Sequence, residues 1–153
     1  MQLSEFDDFF SGMARRHLQR AIRDSLMEDG TDLTSNAVFD REAVMRASIV
    51  AKEESLMAGL YIAAMVLEET SMAEPGEWGM QAHVAEGDLL APGTTAISLE
   101  GSVRLLLRAE RVMLNFITHL SGCQSDAQLC QGTGRNRRAP SGHPQDPARP
   151  ALP

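Results

Sequence analysis

The stretch Ser102 to Gly122, Ser-Val-Arg-Leu-Leu-Leu-Arg-Ala-Glu-Arg-Val-Met-Leu-Asn-Phe-Ile-Thr-His-Leu-Ser-Gly, constrains the fold more than any other. At helical spacing Arg104, Arg108, Arg111, Asn115 and Thr118 share one narrow face. Leu105, Ala109, Val112, Met113, Phe116, Ile117 and Leu120 share a broad opposite face, as an amphipathic helix requires. Ser102 has the character of an N-cap and Gly122 that of a stop. So wide an apolar face needs a substantial partner surface. The basic face reads either as an ordinary solvated face or as an anion-binding row, and periodicity does not separate the two.

The 153 residues make one domain, or a domain with a tail, and a hydrophobic content of 43% is enough for a core. A net charge of −7 argues against a broad electrostatic nucleic-acid surface. No apolar run approaches the roughly 20 residues of a membrane span. The acidic start Met-Gln-Leu-Ser-Glu-Phe-Asp-Asp is unlike a secretory signal. Cys123 and Cys130 are the only cysteines, too few for a disulfide framework and consistent with a reducing, cytoplasmic setting.

Upstream, Ser4 to Met27 reads as a helix with a capping-box-like start at Ser4 and Asp7. Its inward positions are Phe6, Phe9 or Phe10, Met13, His17, Ala21 and Leu26, with His17 half-buried, and Arg15, Arg16, Arg20 and Arg23 form its wet side. The acidic loop around Glu28, Asp29 and Asp32 lacks the EF-hand ligand pattern, so Asp32 and Thr34 are assigned to local backbone bonds. Ala43 to Lys52 alternates as a strand, Leu56 to Gly59 resumes an extended run, and Tyr61 to Glu69 forms a short helix that frays at Glu68 and Glu69. Gln81 to Val84 and Ala96 to Leu99 read as strands, separated by turns at Glu86-Gly87-Asp88 and Pro92-Gly93. Lys52 is the sole lysine. Its separation from both turns in sequence disfavours a lipoyl- or biotin-carrier domain, which needs a lysine at a hairpin tip.

Beyond Gly122 the character changes. Residues 123–153 hold five of the seven prolines and no helical or strand periodicity, which predicts disorder. Cys123, Cys130, His119 and His143 have no zinc spacing, and Gly132-Thr133-Gly134-Arg135 lacks the strand and helix of a phosphate loop.

The motifs follow in one order: Glu28-Asp29 and Asp32-Leu33-Thr34-Ser35; Ile49-Val50-Ala51-Lys52-Glu53 and Ala58-Gly59-Leu60; Glu86-Gly87-Asp88 and Pro92-Gly93; Glu100-Gly101; then Ala109-Glu110-Arg111-Val112-Met113-Leu114-Asn115-Phe116 and Leu120-Ser121-Gly122. This order resembles the N-terminal domain of the quinolinate phosphoribosyltransferases (nicotinate-nucleotide pyrophosphorylases, carboxylating). The acidic loop is shorter than the family's. The resemblance implies an α+β, open-faced, hammerhead-like sandwich of the type II phosphoribosyltransferases. It divides the chain into a domain over 1–101, a connecting helix over 102–122 and an aberrant tail over 123–153, with the α/β barrel absent. It implies the conversion of quinolinate and phosphoribosyl pyrophosphate, with Mg2+, to nicotinate mononucleotide, CO2 and pyrophosphate in NAD biosynthesis by a cytoplasmic homodimer. Arg111 matches the arginine that binds quinolinate in the neighbouring subunit's site, and Glu110 and Asn115 match the motif around it. A guanidinium fork suits a dicarboxylate.

The family's barrel opens on Asp-Thr-Arg-Lys-Thr, which is not legible after Gly122. Synonymous codons for residues 142–151, read one nucleotide later, give Asp-Thr-Arg-Lys-Thr-Leu-Pro-Gly-Leu. The expectation is a frame shift between Cys123 and Arg135 and a truncated, inactive chain, which the gene's actual codons test. The alternative is a non-catalytic dimerisation or interaction module, its apolar helix face left uncovered without the barrel.

Overall fold

A computed structural model describes residues 11–28, 30 and 37–132, with side chains described as far as Gly122. The cap at Ser4 and Asp7, the phenylalanines Phe6, Phe9 and Phe10, the loop residues Asp29, Asp32 and Thr34, and everything from 133 onward lie outside the described residues, as do the side chains of Cys123 and Cys130.

The elements run α1 (Gly12–Glu28), β1 (Val44–Val50), β2 (Ser55–Leu56), α2 (Leu60–Ala73), β3 (Trp78–Ala82), β4 (Leu89–Leu90), β5 (Thr95–Ser102) and α3 (Val103–Gly132). One antiparallel sheet has the order β1-β5-β3, and β2 pairs with β4 in a second, two-stranded sheet. Along β1 the exposure alternates residue by residue. Met45, Ala47 and Ile49 pack against the core, while Val44, Arg46, Ser48 and Val50 stay exposed. This is the period of two expected of a half-buried strand. The outer face is polar: Arg46 meets Glu100 at 3.0 Å across the β1/β5 pair, and His83 Nε2 lies 2.7 Å from Ser98 Oγ. The sheet is therefore covered on one side only among the described residues, the open-faced arrangement that the motif order implies.

The covered side is built by the three helices. Ile22 and Leu26 from α1, Val66 and Leu67 from α2, Ile97 from β5, and Leu105 and Met113 from α3 are all buried. Leu105, Ala109, Val112, Met113 and Ile117, assigned from sequence to a missing barrel, are instead no more than 7% exposed inside this domain. The expectation of a bare apolar helix face is corrected accordingly. That face was wide because it serves α2 and the sheet.

Several local expectations also change. Strand β5 continues through Ser102, whose N–H donates to Glu77 O, and the N–H of Val103 donates to Ala43 O, so strand passes into helix between Ser102 and Val103 without a connecting loop. A Cβ on Gly101 would overlap Glu77 O and stand 2.8 Å from Trp78 Cα, which explains the glycine by close backbone approach. Gly122 does not end α3, which continues to Gly132, ten residues into the segment read as lacking helical period. A glycine inside a helix costs about 1 kcal/mol, too little to stop a helix anchored by so much buried surface.

His17 is exposed, not half-buried, and Met13 is 67% exposed. The described part of α1 faces inward through Ile22 and Leu26. Helix α2 extends past Glu69 to Ala73, and Glu69 does not fray it. Its side chain is 1% exposed, and its carboxylate receives Arg23 Nε at 2.6 Å and Nη2 at 3.2 Å. Arg23 is thus a clamp between α1 and α2, and the hydrogen bond and charge of Glu69 hold its pKa above the usual arginine value. Strand β3 begins at Trp78, earlier than the Gln81 start read from sequence.

Candidate functional site

Helix α3 sorts its three arginines into different roles. Arg104 directs Nε at 3.0 Å and Nη2 at 2.6 Å to Phe39 O, stapling the segment before β1 to the start of α3. Arg108 is half-buried, and its Nε is buried without a hydrogen-bond partner. Arg111 is exposed, as are Glu110 and Asn115. Thr118, on the same face, turns its hydroxyl back to Leu114 O at 2.8 Å, so it closes on its own helix.

Three concavities on the described surface bear on the site. One of about 530 Å³ lies at the end of the large sheet between Arg41, Trp78 and Gly101. One of about 490 Å³ lies on the open sheet face around Arg46, Gln81 and Ser98. The third, about 330 Å³, is a largely apolar groove between β1 and α3 that includes Met45, Ile49, Leu107, Glu110 and Leu114. Glu110 borders the groove, whereas Arg111 and Asn115 line none of the three. Among the described residues no three His, Cys, Asp or Glu side chains converge to hold a metal.

The motif residues that do come together meet at the other end of the domain. Gly59, at φ 101°, precedes α2 without a side-chain cap of its own. The Glu86 carboxylate supplies one from far along the chain, accepting Gly59 N–H at 2.6 Å and Leu60 N–H at 2.9 Å. Two free N–H groups at a helix start and a carboxylate satisfy each other both by hydrogen bonding and by the helix dipole. Asp88 Oδ2 accepts Ala85 N–H at 2.7 Å and fixes the turn that aims Glu86. On the opposite side of Gly59, Ser121 Oγ accepts Ala58 N–H at 3.3 Å, and an added Cβ on Gly59 would lie 3.2 Å from Leu120 Cδ1.

Sequence reasoning missed this junction. The available signal was a helix opening on Gly59-Leu60 with no Ser, Thr, Asp or Asn to cap it, beside a glutamate with no assigned task. Sequence distance also misled at Lys52. Ala51 exchanges backbone bonds with Gly93 and Thr94, at 2.8 and 2.9 Å, so Lys52 stands beside the Pro92-Gly93 turn and not far from it.

The geometry defines a class: an open-faced α/β domain that stiffens a long helix and presents a basic residue from it outside every concavity described above. Comparison with known proteins identifies it further. The family model for the quinolinate phosphoribosyl transferase N-terminal domain matches residues 32–121. Nicotinate-nucleotide pyrophosphorylase [carboxylating] from Mycobacterium leprae is 32% identical over 71% of this chain and 37% of its own length. The probable enzyme of that name from Bacillus subtilis is 37% identical over 72% of this chain and 37% of its own. Among solved structures, NadC from Streptococcus pyogenes superposes with a TM-score of 0.67 at 33% identity, over 78% of this chain and 43% of that one. The chain belongs to the quinolinate phosphoribosyltransferase family, through its N-terminal domain. It spans about a third of the length of the curated relatives it matches.

Proposed function

We propose that this chain is the N-terminal part of a quinolinate phosphoribosyltransferase, contributing one substrate-binding arginine to an active site that is completed by another polypeptide. The observation that carries this reading is the position of Arg111. It is exposed on the outer side of α3, and it lines none of the three concavities described above. A guanidinium placed in this way serves a dicarboxylate only when a second surface closes over it. The helix beneath it is rigidly seated, since Ala109, Val112 and Met113 are buried at once on its other side. Glu110 and Asn115 flank Arg111 and set the polar surroundings of that closure.

In this reading the family reaction joins quinolinate to phosphoribosyl pyrophosphate, releases CO2 and pyrophosphate, and yields nicotinate mononucleotide for NAD biosynthesis. Magnesium belongs with phosphoribosyl pyrophosphate on the barrel side. The working assembly is a cytoplasmic homodimer of the full-length enzyme. The chain alone, a domain over 1–101 followed by the helix Val103–Gly132 and a tail after it, is inactive.

The purified chain supplied with quinolinate, phosphoribosyl pyrophosphate and magnesium is expected to form no nicotinate mononucleotide above background. Turnover by the chain alone would end the inactive-fragment reading. For the arginine, residues 1–122 fused to the barrel of the Bacillus subtilis relative should turn over. Arg111→Ala in that fusion should raise the KM for quinolinate at least tenfold while leaving the fold unchanged by circular dichroism. An unchanged KM would remove Arg111 from the site.

A further inference from the structure

We propose that the outer edge of β1 is a self-association surface whose occupant is β1 of a second copy of this chain, paired antiparallel about a two-fold axis through Ala47. The inference does not rest on the phosphoribosyltransferase reading and can fail without it.

The order β1-β5-β3 leaves β1 at the margin of the sheet. Val103 N–H donates to Ala43 O, and Ala51 N–H donates to Thr94 O, so the odd-numbered residues direct their backbone groups toward β5. By strand alternation, Val44, Arg46, Ser48 and Val50 direct theirs outward, and among the described residues no strand meets them. Such an edge is a template for another strand.

The strand's own sequence selects the partner. Val44-Met45-Arg46-Ala47-Ser48-Ile49-Val50 is nearly symmetric about Ala47. Laid antiparallel on itself about that residue, it sets Val44 opposite Val50 of the second copy, Met45 opposite Ile49, and Arg46 opposite Ser48. The facing even-numbered pairs are the ones whose backbone groups point outward, so the ladder closes with about eight hydrogen bonds, two for each hydrogen-bonded pair. Arg46 is not set directly opposite its own copy, which stands one diagonal step away. A shift by two residues in one direction would place Arg46 on Arg46, and either shift shortens the overlap.

Two further observations fit the same register. Val44 is 67% and Val50 44% exposed on an otherwise polar sheet face, and the pairing puts each beside the other's counterpart. On the inner face, the groove holding Met45, Ile49, Leu107 and Leu114 is roofed by β1, so the two-fold brings the grooves of both copies side by side and covers apolar surface on each.

The test uses the full chain. Sedimentation or light scattering should give a dimer of twice 16.7 kDa that dissociates on dilution. Val44→Lys combined with Val50→Lys sets like charges opposite one another and should give a monomer. Val44→Lys combined with Val50→Glu sets opposite charges together and should restore the dimer, a reversal that loss of folding cannot produce. In a Cys123→Ser/Cys130→Ser background, Ala47→Cys should cross-link to a disulfide dimer on oxidation, since facing Cα atoms of a non-hydrogen-bonded pair lie within disulfide range. A monomer at all concentrations, identical behaviour of the two charge pairs, or no cross-link through Ala47→Cys overturns the proposal.

Discussion

Replacing Glu86 tests whether the junction at Gly59 holds the domain together. The carboxylate accepts two backbone N–H groups, at 2.6 and 2.9 Å, at the start of α2. Losing an N-cap costs about 0.5–2 kcal/mol, and a hydrogen bond to a charged group is worth about 1.5–3 kcal/mol. Glu86 is only half-buried, so solvent replaces part of what is lost, and the two bonds share one carboxylate. We expect Glu86→Ala to cost about 2–3 kcal/mol. Glu86→Gln keeps one acceptor oxygen and loses the charge, for about 1 kcal/mol. For a folded part of about 100 residues each kcal/mol moves the thermal midpoint by about 4–8 °C, so the alanine variant should melt roughly 10–20 °C lower. Circular dichroism melting measures this, and hydrogen exchange at the Gly59 and Leu60 amides should quicken selectively. An alanine variant within about 0.5 kcal/mol of the parent, the range of neutral surface changes, would show that water caps α2 equally well and would refute the reasoning.

Gly101→Ala should be severe, because the added Cβ meets backbone at Glu77 and Trp78 and not a movable side chain; a loss of about 3 kcal/mol is expected by chemical denaturation, and a near-neutral result would mean that β3 can retreat from β5. Arg23→Ala leaves the Glu69 carboxylate enclosed without its fork, so it should lower the melting temperature more than Arg46→Ala, which opens an ion pair exposed on both sides; equal shifts would show that the Arg23 clamp contributes no more than a surface pair.

The alternation of β1 was legible because one side of that strand faces a core and the other faces solvent, which writes a period of two directly into the residues. Helix α2 shows no such contrast, because Leu60, Ile62, Ala63, Met65, Val66 and Leu67 are all buried. What periodicity could not give was the owner of each apolar face. Leu105, Val112 and Ile117 demanded a partner, and a sequence does not distinguish a partner in the same domain from one in a barrel. Ends of elements failed for related reasons. Glu69 looked unfavourable at a helix terminus until Arg23, 46 residues away, was brought to it, and Gly122 looked like a stop because local propensity ignores what is buried on the preceding turns. As for the candidate site, Glu110, Arg111 and Asn115 could be named only through the motif order. Nothing in their spacing separates them from Arg104 and Arg108, which the structure assigns to other surroundings.

The motif order was specific because most of its members constrain each other's positions. Ala58-Gly59-Leu60 needs the Glu86 carboxylate for its helix start and Ser121 for its flank, while Ala51 needs the backbone of Gly93 and Thr94. Glu100-Gly101 needs the bare backbone of β3 beside it. None of these residues requires a substrate to explain it. Within the α3 motif, Ala109, Val112 and Met113 are likewise accounted for by burial, whereas Glu110, Arg111 and Asn115 are exposed. A residue that belongs to the motif and yet stays exposed is a better candidate for chemistry than one merely of the right type. By that criterion Arg104, engaged with Phe39 O, is a structural arginine despite lying on the same helical face. In the function proposed above, Arg111 is the arginine on which substitution should change substrate binding more than stability.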